Sequence, residues 1–155
     1  MHRFRSLISN QTGQALPEFA LVLPVLMLIL FGVLEFGRAI NYWMDGTHLT
    51  AEAARYAAVN RKPDPSNAAS LQQQIKAQID TTELKSGSSS VTAPAQVCVS
   101  FPNGTSNPGD PVRVSMSFTY KWLKVLKIAT VQTPITATST MRLEAPPTTY
   151  TTGCA

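Results

Sequence analysis

The sequence predicts an α+β chain: a long N-terminal helix, membrane-spanning in its first half and exported in its second, packed on a small antiparallel sheet of about three strands. Three observations lead there. No charged residue occurs between Phe19 and Leu34. Apolar positions then recur every three or four residues to about Asn60, which is the helical period. Finally, Val112, Val114, Met116, Phe118 and Tyr120 alternate with Arg113, Ser115, Ser117 and Thr119, the pattern of a strand with one buried face.

The apolar run comes first. Residues 15–34 as a helix measure about 30 Å, the thickness of a bilayer's hydrocarbon core. The polar stretch before it carries Arg3 and Arg5 and no acid, so the positive-inside rule keeps it cytoplasmic and exports everything after Leu34. No small-residue signal-cleavage site follows Leu34; Glu35-Phe36-Gly37-Arg38 continues in helical register, so the span is expected to be retained. Glu18 is a lone carboxylate at the head of the run. At membrane depth such a group costs several kcal/mol unless it is paired, which marks it as functional. The alternative places it at the level of the lipid headgroups.

The residues carry a family resemblance. Gly13, with a carboxylate at the fifth position after it and an apolar helix beyond, resembles the class III leader of type IV pilin-like proteins. That resemblance implies a leader of residues 1–13, cut after Gly13 by a prepilin peptidase, with Gln14 as the new N-terminus. It also implies a transmembrane helix over 14–34 and an exported domain over 35–155. More narrowly, the run from Glu18-Phe19 to Pro24, then Glu35-Phe36-Gly37-Arg38 and Ala51-Glu52-Ala53-Ala54-Arg55-Tyr56-Ala57-Ala58, is similar to the TadE-like pseudopilins of the tight-adherence (Tad) pilus. The resemblance covers roughly residues 13–60. It implies a minor pilin or pseudopilin that assembles or initiates a pilus, or serves adhesion, with Glu18 and Phe19 setting the register of helix packing. The implied partners are the prepilin peptidase, other pilins or pseudopilins, an inner-membrane assembly platform and membrane lipid. The implied place is the bacterial inner membrane, single-pass, with the C-terminal domain periplasmic or extracellular, or within a pilus.

Beyond the span, Phe36, Ile40, Trp43 and Thr47, then Leu49, Ala53 and Tyr56, continue the helix, and Asp45-Gly46 is the expected kink. Tyr42 and Trp43 are either interfacial anchors or sheet-packing residues. Pro63 and Pro65 end this helix, and Asp64 with Pro65 signals the N-terminus of a second. There Leu71, Ile75 and Ile79 form the apolar stripe, while Gln72, Gln73, Gln74 and Lys76 face away. Residues 85–90 read as a flexible connector.

Strands follow. Val97, Val99 and Phe101 alternate with Cys98 and Ser100, so Cys98 points away from the valine face. Residues 103–110 form a Gly-, Pro- and Asn-rich loop before the clear strand at Val112. A weaker alternating run covers 135–143. Between these strands, residues 121–128 place lysines three apart. They form either a basic amphipathic helix against a membrane or a hairpin connection in which Leu123 and Leu126 cap the core. The tail from Pro146 is loose, and Cys154 would tie it to the outer face of the first strand.

Composition bounds the function. The chain of 155 residues has room for the anchor and one modest core. Its formal net charge of +4 comes with 14% charged residues and scattered cations, which argues against nucleic acid. Cys98 and Cys154 fit an oxidising compartment and a single disulfide, the alternative being two free thiols. His2 lies in the leader and His48 stands alone, so no triad, metal cluster or cofactor loop can be drawn, and no enzyme is expected. Two classes stay open: a pseudopilin, and an uncleaved anchored periplasmic interaction or binding module.

Overall fold

The computed structural model describes residues 15–122 and 131–155. Elements run in the order α1 (Ala15–Ala58), α2 (Leu71–Ala77), α3 (Thr82–Ser86), β1 (Gln96–Ser100), β2 (Pro111–Lys121), β3 (Gln132–Arg142) and β4 (Gly153–Cys154). The class is α+β, a long N-terminal helix and a four-stranded antiparallel sheet of order β3-β2-β1-β4. The chain divides between Gly37 and Arg38 into two compact units.

In the first unit, residues 15–37 are helical throughout. Leu, Met and Ala dominate and favour helix. Pro17 is harmless because first-turn N–H groups have no intrahelical acceptor. Pro24 lies deeper and offers no N–H to the carbonyl of Ala20.

In the second unit, α1 lays Ala39, Tyr42, Leu49, Ala53 and Ala57 on the sheet side. Its partners are the inward residues of β2, Val112, Val114, Met116, Phe118 and Tyr120, all buried, with Val97 and Val99 of β1. Each such side chain stabilises the fold by about 1.5–3 kcal/mol relative to exposure. Leu71, Ile75 and Ile79 close the core from α2 and the turn after it, and Leu84 does so from α3.

α1 runs unbroken through Asp45-Gly46, where the sequence suggested a kink. Gly46 is buried, and a Cβ built on it would lie 3.3 Å from the Cβ of Ala137 and 3.6 Å from the sulfur of Met116. The glycine is a close-approach residue: a Cβ there would require the Ala137 side chain to give by a few tenths of an ångström.

The end of α1 is built with care. Asn60 has φ +53°, the left-handed conformation that ends helices. Its N–H donates to Ala57 O (3.1 Å) and that of Arg61 to Tyr56 O (2.9 Å), the paired bonds of a Schellman motif. The C-terminal tail supplies the rest: Glu144 N–H donates to Ala58 O (2.8 Å) and Tyr150 Oη to Ala57 O (2.8 Å). In return, Asn60 Oδ1 accepts from the N–H groups of Thr148 (2.9 Å) and Thr149 (3.0 Å).

The second helix starts later than Asp64 and Pro65 suggest. Asp64 Oδ1 is already engaged, accepting from Ser66 Oγ (2.6 Å) and Ser66 N–H (2.9 Å). Those bonds hold its carboxyl below the usual value. Ser70 caps α2 instead, its Oγ accepting from Gln73 N–H while Gln73 Oε1 accepts from Ser70 N–H, a capping box. Gln72 and Gln74 do not face away; both are buried. Gln74 accepts from Asp64 N–H (2.8 Å) and donates to Asp64 O (3.0 Å), pinning the loop before its own helix. Gln72 Nε2 donates to Thr151 O (2.7 Å) and so holds the tail.

The expected connector at 85–90 is partly ordered. Residues 82–86 form α3, Ser88 Oγ accepts from Ser90 and Val91 N–H, and Val91 bridges Tyr120. β3 pairs β2 from Pro111↔Arg142 to Lys121↔Gln132 and begins before residue 135. It includes Pro134, which an edge strand tolerates because one side of its backbone is unpaired. The tail contributes β4 rather than staying loose. Leu123, Leu126 and the rest of 123–130 lie outside the described residues.

Burial pushes the Tyr150 phenol up to about 12 from its ordinary 10.0. The folded protein therefore keeps this proton in a range where the unfolded chain loses it. Its contribution is complete below about pH 10 and fades as pH rises toward 12. Tyr150→Phe should cost about 1 kcal/mol at neutral pH through the lost bond to Ala57. In denaturant titrations the gap between the two proteins should close between pH 10 and 12.

Candidate functional site

Among the described residues, one helix is long and apolar enough to cross a membrane. That fits a single-pass anchor. In its first half Leu16, Phe19, Leu21, Val22, Val25, Leu26, Ile29 and Leu30 are exposed, apolar on every side. A soluble core helix would hide such a surface; one solvated by lipid has no need to.

Glu18 and Phe19 sit in the first turn of α1, both exposed. A carboxylate there faces the positive end of the helix macrodipole, a favourable place worth about 0.3–1 kcal/mol at an exposed site. Gly13 and Gln14 lie outside the described residues.

The second half of α1 has two differently treated faces. Tyr42, 6% exposed, packs into the core against the rings of Phe118 (6.4 Å between centroids) and Tyr120 (5.8 Å). Trp43 does not; it is 50% exposed, with Ile40 and Met44 beside it. The two aromatics left open by the sequence thus part company, one to the sheet and one to the surface. Farther along the same surface the face turns polar, and a shallow groove is lined by His48, Glu52, Arg55, Tyr56 and Arg61.

On the sheet, Val97 and Ala155 exchange both backbone bonds at 3.0 Å. The neighbouring pair Cys98↔Cys154 is therefore non-hydrogen-bonded, the position where opposed Cα atoms come closest. A disulfide joins them across a sequence separation of 56. Cys98 is half-buried between the fully buried Val97 and Val99, on the outer face of the sheet. Among the described residues no group of three His, Cys, Asp or Glu could hold a metal ion.

Residues 13–55 match a protein family described as TadE-like protein. The match begins at Gly13 and takes in all of α1 except its last turn. Over residues 13–55 the chain is similar to that family. No curated protein and no solved structure matches it.

Sequence reasoning missed Asn60, which joins the helix end to the tail. A signal existed: an Asn following an Ala-Ala-Val run, just before a cationic residue and a proline, is a helix C′ candidate. It also missed Gly46, whose role depends on Ala137 across the sheet and has no local signature.

The disulfide has a measurable share of stability. Closing a loop of this length contributes about 4 kcal/mol in the chain-entropy model. Reduction, or Cys98→Ser with Cys154→Ser, should lower the unfolding free energy of the full chain by about that amount. Far-UV circular dichroism should stay unchanged, because Asn60, Gln72 and Tyr150 still hold the tail.

Proposed function

We propose that this chain is a pseudopilin, a minor subunit that assembles or initiates a Tad-type pilus. The observation carrying the reading is the TadE-like match over 13–55, coinciding with a helix whose first half is apolar all round and headed by Glu18. The leader of residues 1–13 is removed by a prepilin peptidase after Gly13. The mature chain spans the inner membrane once, from Gln14 to about Leu34, with the domain from residue 35 onward on the outer side. Its partners are other pilins or pseudopilins, the assembly platform and lipid.

Cleavage creates an α-amino group on Gln14, about one helical turn from the Glu18 carboxylate. An unpaired buried charge is costly, whereas pairing offsets most of the cost, so the carboxylate selects arrangements that supply an amine. Within one helix or between neighbours, that makes Glu18 a register device, with Phe19 and the run to Leu34 as the packing surface. No catalytic step is assigned to the chain.

N-terminal mass spectrometry of membrane-extracted protein should find Gln14 as the first residue. Finding only Met1 would favour an anchored module that is never processed. Glu18→Gln keeps size and helix propensity and removes the charge. It should insert and be cleaved normally yet fail to support pilus formation, scored by electron microscopy of surface filaments. Wild-type piliation by that variant would reduce Glu18 to an ordinary boundary residue.

A further inference from the structure

We propose that the outer edge of β3 takes up an added strand, an extended and mostly uncharged segment of a partner protein with an acidic residue beside Arg142. The edge belongs to the sheet of the second unit, so this role stands apart from the pseudopilin reading above.

The register shows which backbone groups are on offer. Trp122 N–H donates to Val131 O and Leu143 N–H to Asp110 O, both at 2.9 Å. These pairs continue the β2–β3 register at its two ends, so the odd-numbered residues of β3 are the ones that exchange bonds with β2. The N–H and C=O groups of Thr136, Thr138 and Thr140 therefore point away from β2, and among the described residues they meet no partner. Pro134 obeys the same rule, because the donor it lacks would have pointed to the open side.

The two edges of the sheet are treated differently. β4 is two residues long and is stapled to β1 by the Cys98–Cys154 disulfide. β3 runs for 11 residues without a break in its register, and from Ile135 to Met141 it has no charge, glycine or proline. Mid-strand charges, prolines and bulges are the usual means of keeping other chains off an edge, and β3 has none of them there. Its odd residues rest on the core, Ala137 buried with Ile135 and Met141 half-buried, while Thr136, Thr138 and Thr140 are exposed on the outer face. An incoming strand would meet a formed template with a β-branched residue at each exposed position.

Charge selects the occupant. Arg142 at the end of β3 and Arg113 on β2 are diagonal neighbours on the outer face, since Arg113 pairs with Thr140. Both are exposed, and neither makes an ion pair among the described residues, even with Glu144 two residues beyond Arg142. A second copy pairing antiparallel about Thr138 would set Pro134 against Arg142. That arrangement brings the cation no acid and leaves the Arg142 carbonyl without a donor. A different segment, with a carboxylate at that end and an N–H opposite Arg142, supplies both. In the commoner antiparallel sense, the acid stands at the segment's N-terminal end.

The test uses the full chain in detergent micelles. Its probe is the acetylated and amidated peptide Glu-Val-Thr-Val-Thr-Val-Thr, whose Glu would face Arg142. In the free protein the amides of Thr136, Thr138 and Thr140 should exchange with deuterium faster than those of Ala137 and Ser139. Saturating peptide should slow those three by about tenfold or more and leave the other two unchanged. The same peptide N-methylated on its threonines should not bind, and one with its Glu moved to the C-terminal end should bind more weakly. Thr138→Pro removes only an outward donor, so it should abolish binding while far-UV circular dichroism and the disulfide stay intact. Should that variant fail to fold, the N-methylated peptide makes the same comparison on the natural chain. No binding, or equal binding of the plain and N-methylated peptides, would overturn the proposal. Equal affinity of the two Glu placements would overturn the role of Arg142. Outward amides already slow in the free protein would show the edge to be covered and overturn it too. If that protection grew with protein concentration alongside a doubled mass, the covering strand would be a second copy.

Discussion

The end of α1 is the joint on which the second unit depends. Helix C-termini leave carbonyls without intrahelical donors, and those of Ala57 and Ala58 belong to buried residues. Ala57 O already accepts from Asn60 N–H, whereas Ala58 O left unpaired there would cost about 1–3 kcal/mol. The chain meets that demand from its far end, with Tyr150 and Glu144 as donors and Asn60 returning bonds to Thr148 and Thr149. The last dozen residues thus act as part of the helix's cap.

Much of this architecture was legible in the sequence because it depends on period. The alternation from Val112 to Tyr120 gave β2 and its buried face, and the three-to-four spacing gave α1 across both units. What could not be read depends on partners distant in sequence. Gly46 looks like a weak point in a helix until Ala137 is found against it. Gln72 and Gln74 look like solvent-facing amides, yet both are buried: the 64–69 loop satisfies Gln74, and the tail accepts from Gln72 Nε2 while Gln72 Oε1 meets no partner among the described residues. Asp64 and Ser70 are both plausible caps. The choice between them turns on Ser66, which engages the aspartate first, and on Gln73, which completes the box at Ser70. For the candidate site, Glu18 and Trp43 stood out in the sequence by composition alone, whereas the fate of Trp43 against that of Tyr42 needed the rotation of the helix relative to the sheet.

The family match and the fold also divide the chain differently. The match covers 13–55 and stops short of every strand. A helix that is apolar all round in one half, and that presents glycine and alanine to a sheet in the other, admits few sequences. A strand that needs only to alternate admits many.

The disulfide has a topological consequence. Cys98 and Cys154 are fused across adjacent strands, so β2, β3 and the three connections from β1 through to β4 belong to one covalent ring. A single peptide bond cut anywhere within that ring cannot divide the molecule in two. All of α1 lies outside the ring and enters it by a single strand, β1. Damage to the sheet's loops therefore leaves every residue tethered to the helix, and only a break ahead of Cys98 would set the sheet adrift.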